Sequence, residues 1–328
     1  MFTENNTLKD VMEHPLLKDM APYFVENLDL TKELPYSMSF KEAHKNGSWN
    51  VYSSINGFNR LLEAAESGDW CYPLYSAEEI AEEEKKKHAF FVWFPSLDPN
   101  ANKRPFVMVV PGGGHVNVWN ATEGYPIAAH FNRLGYHCFI LTYRVIGPAL
   151  YPKPLEDMAR ALTIIREKAE HFDIDPERYI TVGFSAGAQL VGQWSTDNHG
   201  YSVYGLPRPV LNIPVYGGFS FKLYPADGSR DKGTMNLLGM TTKEAAASDW
   251  NACEHLKNYP PTYLAHAEGD KLVSIEQSYN MKRHLDAAGI PNVLDTCKGC
   301  GHGFAEGNDT PMKGWIERAV LFLENLEA

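Results

Sequence analysis

The chain has 328 residues, of which 44% are hydrophobic and 22% charged, which suits one large domain or a domain with an appended segment and excludes wholesale disorder. Its formal net charge of -11 repels phosphate backbones, so no nucleic-acid partner is expected. No apolar stretch approaches the roughly 20 residues of a membrane span, and residues 1–10 lack the basic and apolar regions of a secretory signal, so the expected location is the cytoplasm.

Residues 1–87 read as a helical N-terminal extension or cap. Residues 8–24 carry apolar side chains at helical spacing, interrupted by Pro15 and Pro22. An aromatic stretch follows, with Trp49, Tyr52, Phe58 and Trp70. Residues 77–87 run from Glu-rich to Lys-rich, the order a helix dipole favours, and predict a solvated helix.

From residue 88 short apolar strands alternate with helices. Strands are predicted over 88–94, 106–110, 137–143, 179–184, 210–216, 262–267 and 292–296. Helices are predicted over 125–134, 155–171, 186–195, 275–288 and 312–326. The run 106–110 is apolar throughout, as in a strand buried on both faces. This order predicts an α/β fold over 88–328, a mostly parallel sheet flanked by helices. Residues 217–248 break the rhythm with Gly, Ser, Lys and aromatics between two strands, and read as a lid-like insertion or pocket wall.

The five cysteines are odd in number, and Cys71, Cys138 and Cys253 are widely separated, so no disulfide framework is expected. Cys297-Lys298-Gly299-Cys300 has the spacing of a redox pair or half a metal site. No second C-x-x-C exists and no strand-to-helix redox context follows, which leaves two small residues in a tight loop as the simpler reading.

The predicted strand 179–184 runs into Gly183-Phe184-Ser185-Ala186-Gly187 and then a helix. G-x-S-x-G in that setting describes a nucleophile elbow, a sharp turn that exposes a serine above the sheet. A serine hydroxyl needs a base to take its proton. Of the 12 histidines, His302 in Gly301-His302-Gly303-Phe304 is the one that follows the last predicted strand. An acid must orient that base. Strand 262–267 ends in Glu268-Gly269-Asp270, which favours Asp270, with Glu268 as the alternative. Pro111-Gly112-Gly113-Gly114-His115 follows strand 106–110, and its glycines let backbone amides turn toward a substrate. Gly113, Gly114 and Ala186 are therefore assigned to an oxyanion hole. His115, Trp119, Glu123, Phe219, Phe221 and Tyr224 are candidates for substrate contact. Each also has a purely structural reading in a loop or a self-packed lid. Tyr143-Arg144 is expected to brace a loop by ion pairing, and Asp157 to pack structurally.

Five segments occur in a telling order: the Pro111 to His115 run, Leu141-Thr142-Tyr143-Arg144, the stretch from Tyr151 to Asp157, the Ser185 elbow, and the His302 loop. Together they resemble the esterase/lipase branch of the α/β-hydrolases that includes bacterial acetyl-xylan-esterase-like and carbohydrate-esterase-like enzymes. The likeness covers residues 88–328. It implies a Ser-His-Asp ester hydrolase without cofactor or metal, acting on small acyl groups often carried by sugars. Two departures stand out. Ala188 occupies a position where the branch commonly has glycine, and Pro111 stands where lipase-type relatives carry histidine. A formamidase or other amidase on the same triad, and a non-catalytic binding protein on the same scaffold, are the competing readings. The expected partner is a small-molecule ester, and the helical N-terminal arm offers a route to a homodimer.

Overall fold

Alternate residues of the central strands pack into different cores. Phe106, Met108 and Val110 belong to one apolar cluster, Val107 and Val109 to another. Side chains of a strand alternate between faces, so helices must cover both sides of the sheet. A computed structural model describes residues 1–21, 23, 37–45, 50–225 and 227–328. Pro22, Phe24 and Trp49 lie outside the described residues.

In chain order the elements are helices α1 (Leu8–Met12), α2 (Phe40–Lys45) and α3 (Val51–Glu66), strand β1 (Cys71–Pro73), helix α4 (Ala77–Glu82), then strands β2 (Phe90–Phe94) and β3 (Phe106–Val110). Helix α5 (Tyr125–Arg133), β4 (Cys138–Thr142), α6 (Lys153–Glu167), α7 (Ala169–Phe172), β5 (Tyr179–Phe184), α8 (Ala186–Trp194) and β6 (Leu211–Val215) follow. The chain continues with α9 (Asp231–Leu238), α10 (Thr242–Ala247), β7 (Thr262–Ala267), α11 (Glu276–Ala287), β8 (Asn292–Cys297) and α12 (Trp315–Glu327). The sheet order is β1-β2-β4-β3-β5-β6-β7-β8. β1 and β2 pair antiparallel with their neighbours, and the remaining pairs are parallel.

Strand β3 lies between β4 and β5, so the chain leaves it in one direction and returns on the other side. The crevice above the carboxyl ends of β3 and β5 is therefore the topological switch point, where ligands of open parallel sheets bind. Helices α3, α5 and α12 supply Phe58, Leu61, Ile127 and Trp315 to one core. Helices α6 and α8 supply Leu155, Leu162, Leu190 and Trp194 to the other.

Three expectations differ. The helix over 77–87 stops at Glu82, because Glu83 is extended (φ -142°, ψ 97°) and a short 3₁₀ turn follows. The extended backbone lets Glu83 reach Arg144 at 2.9 Å and Lys153 at 2.6 Å. The segment 217–248 is not irregular throughout, since it holds α9 and α10. Thr241 caps α10 reciprocally with Glu244, and Gly239 ends α9 in the left-handed conformation (φ 72°). The part before residue 88 is not wholly helical either: its Cys71–Pro73 pairs with Phe90–Val92 at the sheet edge.

Candidate active site

Ser185 sits between β5 and α8 with φ 50° and ψ -112°, a conformation costly for a residue with a Cβ. Small neighbours hold it there. A Cβ on Gly183 would run into the Gly187 carbonyl, and one on Gly187 into the Val110 carbonyl. The Ser185 amide donates to the Val215 carbonyl (3.0 Å), and its carbonyl accepts from the Gln189 amide (3.0 Å). The hydroxyl is thereby lifted clear of the sheet at the start of α8.

Ser185 Oγ lies 2.9 Å from His302 Nε2, and His302 Nδ1 lies 2.7 Å from Asp270 Oδ2. Because the carboxylate only accepts, the Nδ1–H donates to it, which leaves Nε2 to accept the serine proton. Asp270 Oδ1 accepts from the amides of Leu272 (2.8 Å) and Val273 (2.9 Å). Burial opposes the charge on Asp270, but hydrogen bonds from His266, His302 and the Val273 amide outweigh it and hold the carboxyl well below its ordinary value of 3.8. Glu268, the alternative acid, is exposed, and its amide is tied to the Cys297 carbonyl.

The glycine run lies against the elbow. A Cβ on Gly112 would meet the Phe184 carbonyl oxygen at 2.6 Å. The Gly112 amide donates to Glu123 Oε2 (2.8 Å), and so is occupied. Gly113 (φ 131°) and Gly114 (φ 63°) adopt backbone regions that only glycine tolerates well. Among the described residues, the amides of Gly113, Gly114 and Ala186 meet no hydrogen-bond acceptor. Tyr143 Oη steadies the loop by donating to the Pro111 carbonyl (2.9 Å).

A cavity of about 430 Å³ opens beside Ser185, lined also by Gly114 and Ala186. His115 lines it, with Nε2 3.2 Å from Gln189 Oε1. Burial pushes the His115 imidazole down to about 4, against the opposing bond to Gln189, so the ring is neutral near pH 7. Phe221 and Tyr224 line the cavity as well, along with Arg230, Thr234 and Leu237 of the same inserted segment.

Three expected contacts are not in that wall. Phe219 is 2% exposed, with its ring over Gly192 and Gly217. Gln277 Oε1 accepts from the amides of both Phe219 and Ser220 (2.9 Å each), which turns the ring inward. Trp119 is also absent from the lining: its amide caps the Gly112 carbonyl (3.0 Å) and its indole backs Gly113. Glu123 is buried beneath the loop, where burial pushes its carboxyl up, and Tyr216 Oη donates to it (2.8 Å).

Sequence reasoning missed His266, Tyr216 and Gln189. His266 Nε2 faces both Asp270 Oδ2 (3.2 Å) and the Val273 carbonyl (3.0 Å). Two acceptors require the proton on that nitrogen, and Nδ1 then accepts from Ser278 Oγ (2.7 Å). The i,i+4 spacing to Asp270 was its one signal. Tyr216 ends the β6 segment with φ 43°, and its ring lies 4.8 Å from the His302 ring.

Arg144 does form the expected ion pair, on a buried partner: Asp157 at 2.8 Å, with Asp157 fully buried. The pair anchors both ends of the segment whose Ile146, Gly147, Pro148 and Leu150 wall the cavity. Cys297 and Cys300 are joined as a disulfide at the end of β8. Among the described residues no group of three or more His, Cys, Asp or Glu side chains could hold a metal ion, and no helix is long and apolar enough to cross a membrane.

The sequence profile of the BD-FAE family matches residues 96–285, more than half of the chain. An endo-1,4-beta-xylanase B of Butyrivibrio fibrisolvens is 29% identical over 235 residues, 68% of this chain and 36% of the xylanase. An acetylxylan esterase of Xylanibacter ruminicola is 32% identical over 216 residues, 61% of this chain and 41% of the esterase. The chain thus spans less than half the length of these two relatives. The crystal structure of an acetyl ester-xyloside bifunctional hydrolase from Caldicellulosiruptor lactoaceticus superposes with a TM-score of 0.64 at 26% identity, covering 78% of this chain and 96% of that one.

Proposed function

From the premise that the chain belongs to the BD-FAE family and has the α/β-hydrolase fold, we propose that it is a serine carboxylic ester hydrolase that removes small acyl groups, acetyl above all, from carbohydrate hydroxyls. The observation that carries this reading is the unbroken chain Ser185 Oγ, His302, Asp270, with links of 2.9 and 2.7 Å, beside a cavity. The acetyl preference is supported by the acetylxylan esterase and acetyl ester-xyloside hydrolase to which the chain is similar.

In this mechanism His302 takes the Ser185 proton as Oγ attacks the acyl carbon. The negative charge that develops on the former carbonyl oxygen is met by the amides of Gly113, Gly114 and Ala186. One such donor is worth roughly 3 kcal/mol in the transition state. His302 then protonates the departing alcohol, while Asp270 stabilises the imidazolium. Water, deprotonated by the same histidine, resolves the acyl-enzyme.

Ser185→Ala is expected to lower kcat on 4-nitrophenyl acetate on the order of 10⁴-fold or more while leaving the melting temperature near wild type. A variant that retains its rate would overturn the reading, as would failure of a fluorophosphonate to label Ser185 in the wild-type chain.

A further inference from the structure

We propose that Arg230 makes the cavity selective for esters whose alcohol part carries a carboxylate, a refinement that rests on the ester-hydrolase reading. Among the described residues lining the cavity, Arg230 is the one fixed cation, and no carboxylate lies within ion-pair distance of it. The rest of the wall is mainly apolar, with Ile146, Leu237, Leu272 and Phe221 among its members. Arg230 is itself exposed, so its pull on a ligand anion is open to solvent and weakens with added salt.

Its placement is built rather than incidental. Arg230 precedes α9, and its carbonyl accepts the first helical bonds, from the amide (3.0 Å) and hydroxyl (3.1 Å) of Thr234, which fixes its backbone; two further contacts hold the guanidinium. Nη2 donates to the Leu272 carbonyl (3.1 Å), two residues beyond Asp270. The guanidinium lies 5.6 Å from the centre of the Tyr224 ring, which supports it as a cation–π platform. Nη2 carries two N–H groups and the Leu272 carbonyl takes one, so one of the two bidentate edges of the guanidinium, Nε with Nη2 or Nη1 with Nη2, stays open to a ligand. A guanidinium fork matches the two oxygens of a carboxylate.

The anion belongs to the alcohol part for reasons of size. An acetyl group fills only a small fraction of about 430 Å³, so most of the cavity houses the other half of the ester. With a net charge of -11, the chain otherwise repels anionic substrates, which makes a local cation decisive for them.

The test compares 4-acetoxybenzoate with its neutral counterpart 4-acetoxybenzamide, using the purified 328-residue chain. Both lose the same acetyl group, and they differ in charge at the far end of the alcohol part. The readout is the ratio of their kcat/KM values. Arg230→Gln is expected to lower that ratio about tenfold, and Arg230→Lys to give an intermediate value, since a single ammonium replaces the fork. Raising sodium chloride to about 0.5 M is expected to compress the wild-type ratio. A ratio equal in wild type and Arg230→Gln, with both variants melting as wild type, overturns the proposal while leaving the ester-hydrolase reading intact. Turnover of neither ester by the wild type overturns both.

Discussion

Asp270 receives a hydrogen bond from each of two histidines on Oδ2 and from two amides on Oδ1. His302 is the partner that moves protons in the proposed mechanism, and His266 is a positioning residue. Its role predicts a split in the kinetics. His266→Ala is expected to lower kcat about tenfold with little change in KM, because the acid loses orientation while the cavity wall stays in place. Equal effects on kcat and KM would assign His266 to substrate binding instead. A stability effect follows from the same contact. Asp270 is held below 3.8 in the folded protein, so its stabilising contribution is complete above that value and fades as pH falls through the folded value. Removing His266 raises the carboxyl toward its ordinary range and shrinks this contribution. The difference in urea midpoint between wild type and His266→Ala is therefore expected to hold steady from about pH 7 to about pH 5 and to narrow only on acidification below about pH 3, toward the folded value.

The strand-turn-helix unit of β5, Ser185 and α8 depends on contacts that are mostly backbone. Gly187 brings the first turn of α8 against the carbonyls of Val110 and Pro111, and Gly183 brings the end of β5 against the Gly187 carbonyl. Backbone cannot swing aside as a flexible side chain does. Gly187→Ala is therefore expected to destabilise the protein by about 2 kcal/mol or more, read as a lower urea midpoint at unchanged slope, and to lower esterase activity by shifting Ser185. Ala188 stands where a further glycine is common, and the structure accommodates it: its side chain is buried and lies close to Gly217. The neighbouring wall from Ile146 to Leu150 is held similarly, by amides of Leu150 and Tyr151 on the carbonyls of Asn236 (3.0 Å) and Leu237 (2.9 Å).

At the scale of the molecule, the N-terminal part and the sheet share one core. Phe2, Leu8, Phe40, Phe58 and Leu61 belong to the same cluster as Val107, Ile140 and Val182. Helix α3 packs so tightly on α5 that a Cβ at Gly57 would meet the Pro126 nitrogen at 2.6 Å. Strand β1 adds the sheet's outer edge, and Ser54 Oγ donates to the Ala121 carbonyl (2.8 Å) across the boundary. A shared core unfolds as a unit. Calorimetry of the full chain is expected to show one transition, with calorimetric and van't Hoff enthalpies equal. Two separable transitions would mean that the N-terminal part is an independent unit.

Strand and helix periodicity was legible in the sequence from residue 88 onward, and so were Ser185, His302 and Asp270 as partners, because each follows a strand that must end on the same edge of a parallel sheet. Local chemistry suffices for that: a buried strand is apolar, a tight elbow needs glycines, and chain order limits which loops can meet. The walls of the cavity were not legible in this way. Phe219 and Phe221 are two residues apart, yet Gln277, far along the chain, turns one into the core while the other faces the cavity. Trp119 and His115 divide in the same manner around the turn from Gly113 to Asn117. His266 acquires its partner only when β7 and the loop after it fold back together. The sequence by itself determined the order of strands along the chain and the three side chains proposed to react. Tertiary packing alone decided which neighbours face the cavity, because a side chain's direction in a loop is set by distant hydrogen bonds and not by its own spacing.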